Sequence, residues 1–292
     1  MTARPRVVVV GGGHGAATAL EAVAPWAGDV TAVVSVADDG GSSGRLRADL
    51  GGIAPGDARR CVEALLAPGP WRDALGHRFE RGDLDGHPAG NVLIAGLLAA
   101  TGDPVTALDT LTGSLDARGR VLPATSGPVD LVASTGAGRT VRGQVAVSGT
   151  TGIAELAFDP PDPVVPAEVL EAIGAADLIV VGPGSLFTSV LAACVPAVRD
   201  AIAAAGARVV LVANLGPQAG EAEGLDIDAH VDAVRRHGVT PDTIVVDARS
   251  PQGVAEDDSS WLRAAVAAAD GSHHEPGALG RVLSELVPGP AA

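Results

Sequence analysis

Arg6-Val7-Val8-Val9-Val10-Gly11-Gly12-Gly13-His14-Gly15-Ala16 decides the fold. Four consecutive valines read as a strand covered on both faces, because a strand with one wet face would alternate apolar with polar residues. The glycines that follow open a tight turn, and residues 16–24, rich in alanine, read as the helix after it. This strand, turn and helix place Gly11, Gly13 and Ala16 in the G-x-G-x-x-G/A pattern in its required context. Glycine lets the backbone approach a diphosphate, and the free N–H groups of the helix start attract an anion. Close strand–helix packing is the plainer use of the same glycines, and a lone match leaves both uses open.

The next segment tilts that balance. A second strand-like run, residues 31–36, leads into Asp38-Asp39-Gly40-Gly41-Ser42-Ser43-Gly44-Arg45-Leu46-Arg47. An acidic residue roughly 20 positions beyond the first turn is where dinucleotide enzymes hold a ribose hydroxyl. One carboxylate here suits sugar hydroxyls or a magnesium ion, while Ser42 and Ser43 offer phosphate contacts and Arg45 or Arg47 a bidentate clamp. The plainer reading is a serine cap for a helix opening at Arg45, with the aspartates making turn hydrogen bonds.

Further along, helices are expected at residues 59–66, 71–81, 90–101 and 105–115. Short alternating runs at 121–125, 130–134, 139–147 and 153–158 read as an antiparallel insert. Helix–strand alternation then resumes with helices at 166–175, 185–194, 197–205, 227–237 and 278–286, and strands at 177–181, 208–213 and 243–246. The expected fold is therefore α/β: a Rossmann-like, doubly wound, mostly parallel sheet with a small antiparallel β insert at about residues 121–158, forming a single domain over 1–292.

Several loops join the candidate site. Gly182-Pro183-Gly184-Ser185 turns from a strand into a hydroxyl-rich helix start, and Asn214-Leu215-Gly216-Pro217-Gln218 follows another strand. Loops at strand carboxyl ends near a topological switch point face the ligand crevice. Ser185 as a simple helix cap explains the first equally simply. Asp57-Ala58-Arg59-Arg60 offers a cap and a phosphate-facing arginine, and His87 with Asn91 stands at a helix entrance. His273-His274-Glu275 lacks the helical spacing of a zinc pair and reads as surface.

Composition narrows the chemistry. The 292 residues are 47% hydrophobic with 39 glycines and 21 prolines, which suits an α/β protein with many tight turns. A net charge of −15 disfavours direct nucleic-acid binding. All 20 basic residues are arginine and tyrosine is absent, which excludes a P-loop lysine, a Schiff-base lysine and the tyrosine–lysine hydride-transfer pair. Cys61 and Cys194 read as buried reduced thiols, from which a cytoplasmic location is expected. No apolar stretch reaches the length of a membrane span.

Taken in order, Gly11-Gly12-Gly13, the Asp38–Arg47 segment, Pro55-Gly56-Asp57-x-Arg59, Gly86-His87-x-x-Gly90-Asn91 and Gly182-Pro183-Gly184-Ser185-Leu186-Phe187-Thr188-Ser189 resemble the YvcK-like gluconeogenesis factors of the CofD-like superfamily, the UPF0052-type proteins. The resemblance spans most of the chain. It implies a cytoplasmic UDP-sugar-binding protein, for UDP-N-acetylglucosamine or UDP-glucose, tied to growth on gluconeogenic carbon, cell shape and cell-wall synthesis. On that reading no turnover is demanded, and the protein is expected to be a homodimer. Gly12, Gly13 and His14 would cradle diphosphate, and Asp38 with Asp39 would hold ribose, sugar or magnesium. Ser42, Ser43, Arg45, Arg59 and His87 would reach ligand, and Asn91, Gly184, Ser185 and Asn214 would close the crevice. The CofD-like relatives imply an alternative, a magnesium-dependent phospholactyl transfer with Asp38 or Asp39 as the candidate catalytic group. A third alternative is an NAD-binding oxidoreductase. His14 replaces the family's usual threonine, and Ala219 and Ala222 interrupt a loop that usually runs Gln-Pro-Gly-Glu-Thr.

Overall fold

A computed structural model describes residues 4–216, 218–250 and 260–287. The first half runs β1 (Arg6–Gly11), α1 (Gly13–Val23), β2 (Asp29–Val34), α2 (Gly41–Leu50), α3 (Gly56–Leu65), α4 (Pro70–Gly76), α5 (Ala89–Thr101), α6 (Pro104–Ser114) and β3 (Arg120–Pro123). Then come β4 (Asp130–Thr135), β5 (Thr140–Arg142), α7 (Gln144–Ser148), β6 (Ile153–Asp159), α8 (Ala167–Gly174) and β7 (Leu178–Val181). A π-type turn, Leu186–Val190, leads to α9 (Leu191–Ala193), α10 (Pro196–Ala204), β8 (Arg208–Val212), α11 (Ile227–Arg236), β9 (Thr243–Asp247), β10 (Trp261–Ala264) and α12 (Pro276–Glu285).

The main sheet has seven strands in the order β10-β9-β8-β7-β1-β2-β3, and every pairing in it is parallel. The valine run explains why β1 lies at the centre. Val8 and Val10 pack into one apolar cluster with the insert, α8, α10 and α11. Val7 and Val9 pack into a second with α1, α3, α6 and α12. Successive side chains of a strand point to opposite faces, so only an all-apolar strand fills both clusters. From β1 the chain winds outward through β2 and β3, then returns to β7 on the other side and continues to β10. The reversal lies between β1 and β7.

The insert is smaller than expected: a three-stranded antiparallel sheet, β5-β4-β6. Residues 121–125 do not belong to it. They supply β3, which pairs in parallel with β2 from Thr31↔Arg120 to Val34↔Pro123. Both Val121 and Leu122 are fully buried, one in each cluster, as in a strand covered on both faces. Residues 139–147 also divide, into β5 and the short α7. The helix expected over 71–81 stops at Gly76, after which the chain turns back and Phe79 N–H bonds His87 O at 3.1 Å. Strand β10 was not expected, and α2 starts at Gly41 rather than Arg45. Among the described residues no single helix is long and apolar enough to cross a membrane.

Candidate functional site

The loops after β1 and β7 meet at the reversal. Gly182 N–H bonds Val10 O at 3.0 Å, which sets the two strand ends side by side. Gly15, in the first turn of α1, packs on the second loop so closely that a Cβ there would lie 2.0 Å from the Pro183 carbonyl oxygen. Only glycine permits that approach. A cleft of about 720 Å³ opens above the junction, walled by Gly12, Gly13, His14 and Gly15 on one side and by Gly184, Ser185 and Ser189 on the next. Asp38, Asp57 and Arg60 close it toward β2, and Asn214, Gln218, His273 and His274 toward β8. Pro217, within the same loop, lies outside the described residues.

Asp57 dominates the electrostatics. It begins α3 yet reaches under the first glycine turn, where a Cβ on Gly12 would come within 2.5 Å of Asp57 Oδ2. Burial pushes its carboxyl up to about 6, and nearby Asp38 adds to that rise. Arg60 and the Gly13 N–H oppose it, Arg60 through a 2.8 Å contact from Nη1 to Asp57 Oδ1. His14 is held below its ordinary value by burial and by the charges of Arg60 and Arg59. At the second turn Asn214 pairs with Gly184 in both directions, accepting from its N–H at 3.1 Å and donating to its carbonyl at 2.9 Å. Gln218 Nε2 donates to Ser185 Oγ at 2.5 Å.

The residues expected at the site divide into two groups. Gly12, Gly13, His14, Asp38, Gly184, Ser185 and Asn214 wall the cleft; the others do not. Asp39 is exposed and its Oδ1 accepts from Val145 N–H at 2.9 Å, at the start of α7. Ser42, His87, Asn91 and Arg59 form a buried network beneath α2. Ser42 Oγ lies 2.8 Å from His87 Nδ1 and accepts from Asn91 Nδ2 at 3.0 Å, and Arg59 Nε donates to Asn91 Oδ1 at 3.0 Å. Arg59 also pairs with Glu63. Ser43 is buried against Gly56, and Arg45 donates to the Asp85 carbonyl at 2.8 Å. These side chains face away because α2 begins right after Gly40, so its first turn carries Ser42 and Ser43 inward toward α5 and α3.

Sequence reasoning treated Asp57 as a cap alone and His273-His274 as surface. The first carried a signal, a carboxylate followed by two arginines. The second carried none, since its place depends on strands that pair far from it in sequence. Among the described residues no group of three or more His, Cys, Asp or Glu side chains is arranged to hold a metal ion. Asp38 and Asp57 are the carboxylates of the cleft. Such a pair fits magnesium, which binds protein through one or two carboxylates and completes its shell with phosphate oxygens and water.

The family described as 2-phospho-L-lactate transferase CofD matches residues 7–277. The chain belongs to the CofD family. Within it, a Mycobacterium tuberculosis protein named "Putative gluconeogenesis factor" is 40% identical over 303 residues, covering 95% of this chain and 89% of that protein. A Deinococcus radiodurans protein of the same name is 44% identical and covers 82% of this chain, which spans 53% of that longer relative. The crystal structure of a UPF0052 family member from Bacillus halodurans superposes with a TM-score of 0.89 at 32% identity, covering 97% of this chain and 100% of that one. This CofD-family chain thus shares its overall fold with a solved relative.

Proposed function

We propose that this CofD-family protein binds a nucleotide-sugar, UDP-N-acetylglucosamine or UDP-glucose, and uses the bound state to tie carbon supply on gluconeogenic nutrients to envelope synthesis and cell shape. The observation that carries the reading is the meeting of two glycine turns at adjacent strand ends, over one cleft, with Asp38 beyond β2. Helix-start amides and arginine suit a diphosphate, and the carboxylate suits a sugar or ribose hydroxyl. The name of the relatives, "Putative gluconeogenesis factor", supports the link to gluconeogenic carbon. An ionised Asp57 beside the first turn opposes an incoming diphosphate, and magnesium between carboxylate and phosphate offsets that repulsion. Titration calorimetry with each UDP-sugar, with and without magnesium, tests the proposal. Micromolar affinity, about −8 kcal/mol, is expected, strengthened by magnesium. Absence of heat and of competition with any UDP-sugar refutes it.

A second reading is favoured by the family match and by the Asp38–Asp57 pair: magnesium-assisted transfer of a phospholactyl group from a lactyl guanosine diphosphate to the hydroxyl oxygen of a deazaflavin alcohol, with guanosine monophosphate leaving. There Asp38 and Asp57 would hold the ion, and its charge would offset that of the phosphoryl group being transferred. Incubation with a lactyl guanosine diphosphate, the deazaflavin alcohol and magnesium decides it by formation or absence of product.

A further inference from the structure

The C-terminal end of α2 carries an apolar knob beside an apolar hole. Leu50, the last residue of the helix, is 63% exposed. Next to it a groove of about 180 Å³ opens between α2 and α5, lined by Leu46, Ile53, Ala95, Leu98 and Ala99 and by the bare backbone of Gly51. No charged side chain lines the groove, and α5 carries none from Ala89 to Thr101. A lone exposed leucine needs no explanation. One that stands beside an open apolar groove forms, with it, a surface that fits a copy of itself.

The neighbouring stripe of α2 is charged in a matching way. Arg45 and Asp49 are both exposed and lie four residues apart, next to the Leu46–Leu50 stripe on the helix surface. Arg45 donates to the Asp85 carbonyl and meets no carboxylate among the described residues, and the Asp49 side chain has no partner among them. A basic residue four positions before an acidic one is the weaker order for pairing within a helix. Antiparallel packing of two α2 helices about a two-fold axis sets Arg45 of each against Asp49 of the other, and Leu46 of each against Leu50 of the other. On a chain of net charge −15 most approaches of two copies are repulsive. This face offers an uncharged floor and one charge of each sign.

We propose that this face docks a second copy of the chain, with α2 antiparallel to α2, Leu50 of each copy in the groove of the other, and two Arg45–Asp49 pairs along the rim. A two-fold contact requires one surface complementary to itself, and a knob beside its own hole meets that requirement. The groove and the cleft share no residue, so both clefts stay open in the pair.

Sedimentation velocity on the full chain at micromolar concentration tests this, and none of its readings depends on the ligand of the cleft. The wild type is expected at twice the mass of one chain. Leu50→Glu and Ala99→Glu, both at exposed positions, are expected to sediment as monomers with unchanged thermal melting. Arg45→Glu and Asp49→Arg each set like charges together twice in the pair and are expected to weaken association about 10–100-fold. An equimolar mixture of these two variants recovers wild-type association, because every reversed charge then faces its opposite across the contact. A pair within one chain cannot produce that recovery. Should Arg45→Glu fail to fold through loss of the Asp85 contact, Leu50→Glu, Ala99→Glu and Asp49→Arg decide without it. A monomeric wild type, a dimer that persists in Leu50→Glu, or a mixture of the two folded charge variants that stays monomeric overturns the proposal.

Discussion

At the scale of single residues, Asp57 sets the pH response. Its carboxyl is shifted from 3.8 to about 6, chiefly by burial, so the folded chain holds a proton that the unfolded chain has already released. Stability from this group is fully present below about pH 4 and is lost as pH rises through about 6. A shift of that size corresponds to about 3 kcal/mol. Asp57→Asn, which keeps an acceptor for Arg60 and Gly13 but cannot ionise, is expected to remove that slope. Urea unfolding of both proteins between pH 4 and 7 measures it, and parallel curves refute the assignment. The acid pair Asp38-Asp39 was legible from its place after the second strand, but not its division. Adjacent residues of a turn point apart, and the partner of Asp39, the Val145 amide, is 106 positions away.

Among the elements, α2 and α5 are joined by the Ser42, His87, Asn91 and Arg59 network rather than by ligand. Ser42→Ala strands His87 Nδ1 and Asn91 Nδ2 in a buried space, at a cost of about 1–3 kcal/mol. Chemical denaturation is expected to show that loss while UDP-sugar affinity changes by less than about threefold. A large affinity loss with unchanged stability reverses the assignment and returns Ser42 to the ligand. The strand–turn–helix units were legible because their signals are local, as in the β1 valines and the Gly12-Gly13 turn. Strand β3 was not. A short apolar strand reads alike in parallel and antiparallel sheets, and its pairing with β2 depends on how the helices and loops between them fold rather than on its own composition. The break of α4 at Gly76 likewise reflects a tertiary choice, the return of the chain to place His87 beneath α2.

Across the whole molecule, two sheets share one apolar cluster and are fastened near the cleft by polar contacts. Asp39 holds the α7 amide of Val145, Arg47 of α2 pairs with Asp130 of β4 at 2.5 Å, and Glu221 N–H bonds the Ser148 carbonyl at 3.0 Å. Asp39→Ala is therefore expected to raise hydrogen exchange at residues 143–148 and at the 38–44 loop together, with the main-sheet strands unchanged. Exchange confined to 143–148 refutes the coupling. The doubly wound sheet itself was legible from alternation alone, whereas the junction of insert and cleft arises from side chains far apart in sequence.

Asp39 grips the insert one residue from Asp38, which faces the cleft. A protein that grasped the three-stranded sheet from outside would tug on the segment carrying Asp38, and a molecule seated in the cleft would stiffen the grip from within. The little sheet is thus placed as a handle on the segment that carries Asp38.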